Sequence, residues 1–245
     1  MGSNGIKDRV AIVGMGCTNF GEHWDKGPDD LLIDAAHAFV VQRSLPNDSE
    51  LYGPYAGATV GYANLVCYPT DFANSRADYA LPTGNVVPRM QRGAEAPIFP
   101  AGGSPWPVLL FSHGLSGSPL SGDYIEVVKY FASHGYVVVA PFHGDLRFAD
   151  LELDSFQDVL YAFFNYKTFV AMQAVRPLSL TSALDAVLGH PDFRDHVDAA
   201  NVHGFGASLG AESLLLMGGA ALTTTLGQAS KRVTLDARLR SAVGY

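Results

Sequence analysis

The sequence predicts an α/β protein in three layers, with a mostly parallel sheet between layers of helices. Two stretches carry that expectation: a strand, helix, strand succession across residues 106–140, and a short strand near residue 204 that runs straight into an apolar helix. Alternation of this length implies parallel strands joined by right-handed crossovers. Loops at the carboxyl ends of such strands are where an active site gathers. The chain has 245 residues, 48% of them hydrophobic, which suffices for one substantial core.

Trp106-Pro-Val-Leu-Leu-Phe-Ser112 reads as a buried strand that ends in the loop His113-Gly-Leu-Ser-Gly117. Residues 123–134 place apolar side chains at helical spacing, and Gly135 stops that helix. Tyr136-Val-Val-Val-Ala140 is the next buried strand, closing in Pro141-Phe-His-Gly-Asp145. Farther on, residues 200–204 form a short strand, and a helix runs from Ser208 to Met217 with Gly218-Gly219 as its cap. Residues 239–245 read as a further sheet strand whose free edge invites self-association. Residues 146–175 are rich in aromatics: Phe148, Phe156, Tyr161, Phe163, Phe164, Tyr166 and Phe169 read either as a lid that favours acyl or aromatic esters or as helix packing.

Asn201-Val-His-Gly-Phe-Gly-Ala-Ser-Leu-Gly210 carries the chemistry. A nucleophilic serine on a tight strand-to-helix turn needs small neighbours on both sides, which Gly206 and Gly210 supply. Ser208 is the candidate nucleophile. Acyl transfer also needs two backbone N–H groups aimed at the developing oxyanion. The residue after the serine, Leu209, and Leu115 in the His113-Gly114 loop are the candidates, with His113 and Gly114 as the supporting motif.

These phrases, with Ala132-Ser-His-Gly-Tyr-Val-Val-Val-Ala-Pro141, Arg176-Pro177 and Ala183-Leu-Asp185, resemble the α/β-hydrolase superfamily. The nearest types are platelet-activating-factor acetylhydrolase-like and dienelactone-hydrolase-like esterases. The resemblance covers residues 52–245, and residues 52–57 and 79–82 resemble the antiparallel strands that open such folds. It implies a carboxylic-ester hydrolase that works through an acyl-enzyme on Ser208, without metal or cofactor, on a small-molecule, lipid-like or polymeric ester. The sequence shows no metal-ligand spacing of its own.

The resemblance also implies an acid and then a histidine after the serine, yet 37 residues follow Ser208 and they contain no histidine. Asp236 reads as a solvated or helix-end group. His203 reads as a satisfied core residue, His134 as a helix-end cation, and His190 and His196 as surface. Every histidine precedes Ser208, against that order, and His143, at a strand's carboxyl end, is the one candidate for a substitute base. The expectation is a chain that stops before its acid and histidine, so that the sheet is incomplete at the C-terminus. A non-catalytic hydrolase-fold binding module is the alternative.

Residues 5–40, from Gly5-Ile-Lys-Asp-Arg-Val-Ala-Ile-Val-Gly14 onward, resemble the opening strand and helix of a thiolase-type acetyltransferase. That implies a fusion, with residues 41–51 as a polar linker, and makes a thiolase-type acyltransferase fragment a third reading. Cys17 matches no catalytic position there and reads as a structural thiol. Gly14-Met-Gly-Cys-Thr-Asn19 lacks the third glycine of a dinucleotide site.

With 16 Lys and Arg against 24 Asp and Glu, the chain has a net charge of −8 and no basic cluster suited to nucleic acid. No apolar run approaches the ~20 residues of a membrane span. No signal sequence opens the chain, so its expected location is cytoplasmic, with a parent hydrolase that is secreted.

Overall fold

The computed structural model describes residues 10–13, 40–69, 77–80, 84–92, 105–145, 166–225 and 229–245. At its centre β6 (Trp106–Ser112) lies between β7 (Val137–Pro141) and β8 (Val197–Gly206), all parallel. On the far side of β8 runs β11 (Leu239–Gly244), also parallel. Toward the other edge β3 (Thr59–Pro69) joins β7 antiparallel, followed by β1 (Val10–Val13), β5 (Val86–Arg92) and β4 (Asp78–Ala80). The sheet is covered by α2 (Gly122–Ser133), α3 (Tyr166–Gly189) and α4 (Leu209–Met217).

The two-residue period of the strands sorts the core into two faces. Val108 and Leu110 of β6, Val137 and Val139 of β7, and Val66 and Tyr68 of β3 pack with Leu180, Leu184, Leu214 and Met217 of α3 and α4. The intervening residues Leu109, Phe111, Val138, Ala140, Leu65 and Cys67 pack instead with Ile125, Val128 and Ala132 of α2. This alternation produces the three layers. It also explains why β6 and β7 read as unbroken apolar runs, since a strand with helices on both faces has no solvent side. Each fully buried Val or Leu contributes roughly 1.5–3 kcal/mol.

Observed elements match the predicted ones at β6, α2, β7, α4 and β11. The strand before the serine is longer than expected, ten residues, because Val197 and Asp198 already pair with β6 ahead of Val202–Gly206, which pair with both β6 and β11. Three expectations change. Residues 52–57 are not a strand: Asp48 caps a short α1 (Ser49–Tyr52) by accepting from the Glu50 and Leu51 N–H groups, and Pro54 starts a 3-10 turn at Gly53–Tyr55. The polar stretch 41–51 is packed rather than extended away. Its β2 (Val40–Ser44) pairs with β3, and Leu45, Leu51 and Tyr52 are buried. Finally, Val10–Val13 lies within the sheet between β3 and β5. Cys17, the glycine pattern 14–19 and aromatic residues 148–164 lie outside the described residues. Tyr166 and Phe169, at the start of α3, are partly buried against the cluster that contains Leu209 and Leu216, as is Leu115.

β9 (Ala221–Thr225) and β10 (Ala229–Arg232) form a separate two-stranded sheet. Among the described residues no helix is long and apolar enough to cross a membrane.

Candidate active site

Ser208 stands between the end of β8 and the first residue of α4, with φ +49° and ψ −116°. A non-glycine side chain in that region is strained, and such strain is held only where the surroundings over-determine it. Here they do. The Ala207 N–H donates to the Ser112 carbonyl at 3.0 Å, and the Ser208 N–H to the Tyr245 carbonyl at 2.8 Å. Ser208 is exposed while Ala207, Leu209 and Gly210 are buried. The flanking glycines are required by close approach: a Cβ on Gly206 would lie 2.6 Å from the backbone of Gly210, and one on Gly210 would collide with the Ser112 carbonyl.

The loop after β6 meets this turn. A Cβ on Gly114 would lie 3.7 Å from the Cβ of Ser208. In the first turn of α4 the Gly210 and Ala211 N–H groups are satisfied by the Ala207 and Ser208 carbonyls, at 2.7 and 2.9 Å. Glu212 N–H reaches the Ser208 carbonyl at 3.4 Å, which leaves the Leu209 N–H without an acceptor among the described residues. The Leu115 N–H is likewise unclaimed. The Leu209 N–H follows the exposed Ser208 directly and lies at the N-terminus of α4, where the helix dipole is positive.

Behind the loop lies a buried polar network. Arg176, in the middle of α3, has no exposed surface; its Nη2 donates to the His113 carbonyl, and its Nη1 stands 3.5 Å from Asp145 Oδ2. The His113 ring is 3.4 Å from Nη2 but only 2.8 Å from the Gly114 carbonyl, so the Nδ1 proton goes to that carbonyl. Burial, and then the Arg176 charge, push His113 down to about 3, and it is neutral at physiological pH. On α4 Glu212 accepts from Gln173 Nε2 at 2.5 Å.

His143 belongs to this network and not to the serine. Ser179 Oγ donates to the Arg176 carbonyl at 2.7 Å, so it must accept from His143 Nδ1 at 2.6 Å. The neutral ring then accepts at Nε2 from Ser112 Oγ, 2.9 Å away. Burial, and then the Arg176 charge, hold His143 well below its usual range. With both nitrogens committed, it does not fill the substitute-base role the sequence allowed.

Ser208 Oγ has no hydrogen-bond partner among the described residues. His203 bonds Ser241 and Asn201, at 2.9 and 2.6 Å, and is half-buried rather than in the core. His134 is exposed at the end of α2, bonded to the Tyr130 carbonyl. Asp236 is a correction: it is 8% exposed, not solvated, because Arg238 grips both carboxylate oxygens at 2.8 and 2.6 Å. That guanidinium holds its carboxyl below the usual range. Asp236 is also a helix-end group, since its N–H donates to the carbonyl of Met217, where α4 ends. Among the described residues no three His, Cys, Asp or Glu side chains gather in a way that would hold a metal.

Arg176, Gln173, Ser112 and Ser179 were not sequence candidates for the site. The available signal was Arg176 itself, a charge within Ala174-Val-Arg-Pro-Leu178, since a charged residue in a buried helix requires a partner.

Parallel central strands, helices on both faces and a strained serine at the turn from β8 into α4 define an α/β-hydrolase fold. Residues 81–151 match the family model of platelet-activating factor acetylhydrolase, isoform II. That match takes in β6, the His113-Gly114 loop, α2 and β7, and lies wholly outside residues 5–40, whose thiolase-like reading gains no support from it. Similar solved structures include a ferulic acid esterase from Streptomyces cinnamoneus, at 20% identity and TM-score 0.47 over 72% of this chain and 52% of that one. A dienelactone hydrolase from Anabaena variabilis follows at 15% and 0.35, covering 72% and 56%. A dienelactone hydrolase-like promiscuous phosphotriesterase from metagenomic libraries matches at 14% and 0.39, covering 84% and 59%. The chain thus spans between 52% and 59% of the length of these structures. No curated protein matches it.

Proposed function

We propose that this chain is the nucleophile-bearing part of a carboxylic-ester hydrolase. Ser208 attacks the ester carbonyl to form an acyl-enzyme, and the Leu115 and Leu209 N–H groups take the oxyanion. The observation that carries this reading is the conjunction at Ser208 of a strained backbone, an exposed side chain and two unclaimed donors. The general base and its carboxylate come from outside the described residues, because no described histidine bonds Ser208 and His113, His143 and His203 hold partners of their own. The apolar neighbours Leu115, Tyr166, Phe169 and Leu209 favour an uncharged acyl or aromatic ester.

A serine with its oxyanion donors but without a base retains only the fraction of catalysis that binding and oxyanion stabilisation supply. Hydrolysis of p-nitrophenyl acetate by the 245-residue chain is therefore expected to be slow but above the buffer rate, and Ser208→Ala is expected to return it to that rate. Survival of the activity in Ser208→Ala would overturn the assignment. That Ser208 Oγ has no hydrogen-bond partner among the described residues favours one second reading, a non-catalytic hydrolase-fold binding module, which predicts ligand binding with no turnover in either protein.

A further inference from the structure

Arg176 raises a question that packing does not answer. Its guanidinium is fully buried, yet among the described residues Nε finds no hydrogen-bond partner and Nη1 meets only Asp145, 3.5 Å away and beyond good hydrogen-bond geometry. An incompletely bonded buried cation destabilises a fold, and a Leu or Met of similar size would serve the α3 core better. The charge is explained by what it holds. Nη2 bonds the His113 carbonyl, in the loop that faces Ser208.

The peptide planes of that loop translate the contact into direction. In a trans peptide the C=O and the following N–H point opposite ways. The His113 carbonyl, drawn inward by Arg176, fixes the first plane. The Gly114 carbonyl, bonded by His113 Nδ1 at 2.8 Å and by the Gly117 N–H at 3.3 Å, fixes the second. Leu115 carries the N–H of that second plane, which must therefore point away from the His113 ring. Because the Gly114 carbonyl can only accept, its 2.8 Å contact keeps the ring proton on Nδ1.

We infer that Arg176 is a positioning residue: by holding the His113 carbonyl from behind, it sets the first of two successive peptide planes and the place of His113, whose ring fixes the second plane and so aims the Leu115 N–H at the substrate oxyanion. It acts through His113 and touches no substrate. The inference rests on the ester-hydrolase reading of Ser208 and Leu115 for its kinetic consequence, though not for its geometry.

The test compares Arg176→Met, which keeps the volume, and Arg176→Lys, which keeps the charge and one donor, with the parent chain. Complete loss of one oxyanion donor costs roughly 10²–10³ in kcat, so a misaimed donor is expected to lower kcat for p-nitrophenyl acetate about 30-fold in Arg176→Met. KM should stay within about twofold, and Arg176→Lys should recover most of the rate, as an effect on transition-state contacts alone requires. A lowered Tm with kcat unchanged, or a KM effect with kcat intact, would show that Arg176 is merely structural. The amide resonance of Leu115 gives a second readout that is independent of Ser208. It should shift in Arg176→Met and return toward the parent position in Arg176→Lys, while amides of β3 stay in place. An unmoved Leu115 resonance overturns the inference even if Ser208→Ala abolishes activity; a shifted one upholds it even if the Ser208 assignment fails.

Discussion

The ends of β6 and β8 and the edge strand β11 are neighbours in one sheet, but they are built to different standards. Around Ser208 every backbone segment is held on several sides: Ala207 by Ser112, Gly210 pressed against the carbonyls of Ser112 and His113, and the His113 loop by Arg176. β11 pairs only with β8 among the described residues, and nearly all of it is exposed, Val243 by 59% and Tyr245 by 64%. Backbone strain survives only where it is over-determined, and the strained turn at Ser208, the proposed nucleophile, follows an interior strand. The edge meets the site through the Tyr245 carbonyl, which accepts the Ser208 N–H.

The largest test of this contrast is steric. Gly210→Ala should cost about 3 kcal/mol, because the new Cβ meets backbone carbonyls that cannot rotate away. Urea denaturation measures it, and a cost below about 1 kcal/mol would mean that the turn is loose. Acid comes next. His113 and His143 are neutral in the fold but titrate near 6.5 when unfolded, so below that pH the unfolded chain binds more protons and stability falls as pH falls. For His113 the loss continues to about pH 3, at up to ~1.4 kcal/mol per pH unit. Asp236, whose carboxyl is held low in the fold, contributes in the same direction only as pH falls below its unfolded value of 3.8. Urea midpoints should therefore decline between pH 6.5 and 5; a flat profile there would contradict the buried neutral pair.

Smaller effects sharpen the same comparison. Ser208→Gly should remove the reactive hydroxyl and yet stabilise the fold by about 1 kcal/mol, since glycine adopts φ +49° without strain. A lower Tm would argue that the serine's strain is not what the turn stores. On the edge strand Val243→Ala should stay within about 0.5 kcal/mol, because an exposed side chain leaves no cavity.

Much of the candidate site was legible because it is local. Gly206, Ser208 and Gly210 fall within one turn, and the loop 113–117 follows directly from an apolar strand, so spacing and turn chemistry suffice to find them. Residues 41–57 were misread because a polar, turn-rich composition looks the same in a free linker as in a strand and capped turn packed against β3 and α3. Of the two readings of Asp236, helix-end group holds and solvated group fails, because its burial depends on Arg238 folding back onto it, and no sequence period signals such a clamp.

The sequence by itself determined the alternation of strands and helices, the division of β6 and β7 into two apolar faces, and the glycine-flanked serine, since each follows from short-range periodicity and backbone sterics. Only the tertiary structure decided that Arg176 grips the His113 loop across 63 residues of chain, and that His143 spends both nitrogens on Ser112 and Ser179 rather than on Ser208. Those pairings are choices of partner inside a low-dielectric interior, where a buried polar group takes whichever complementary atom the packing brings within reach.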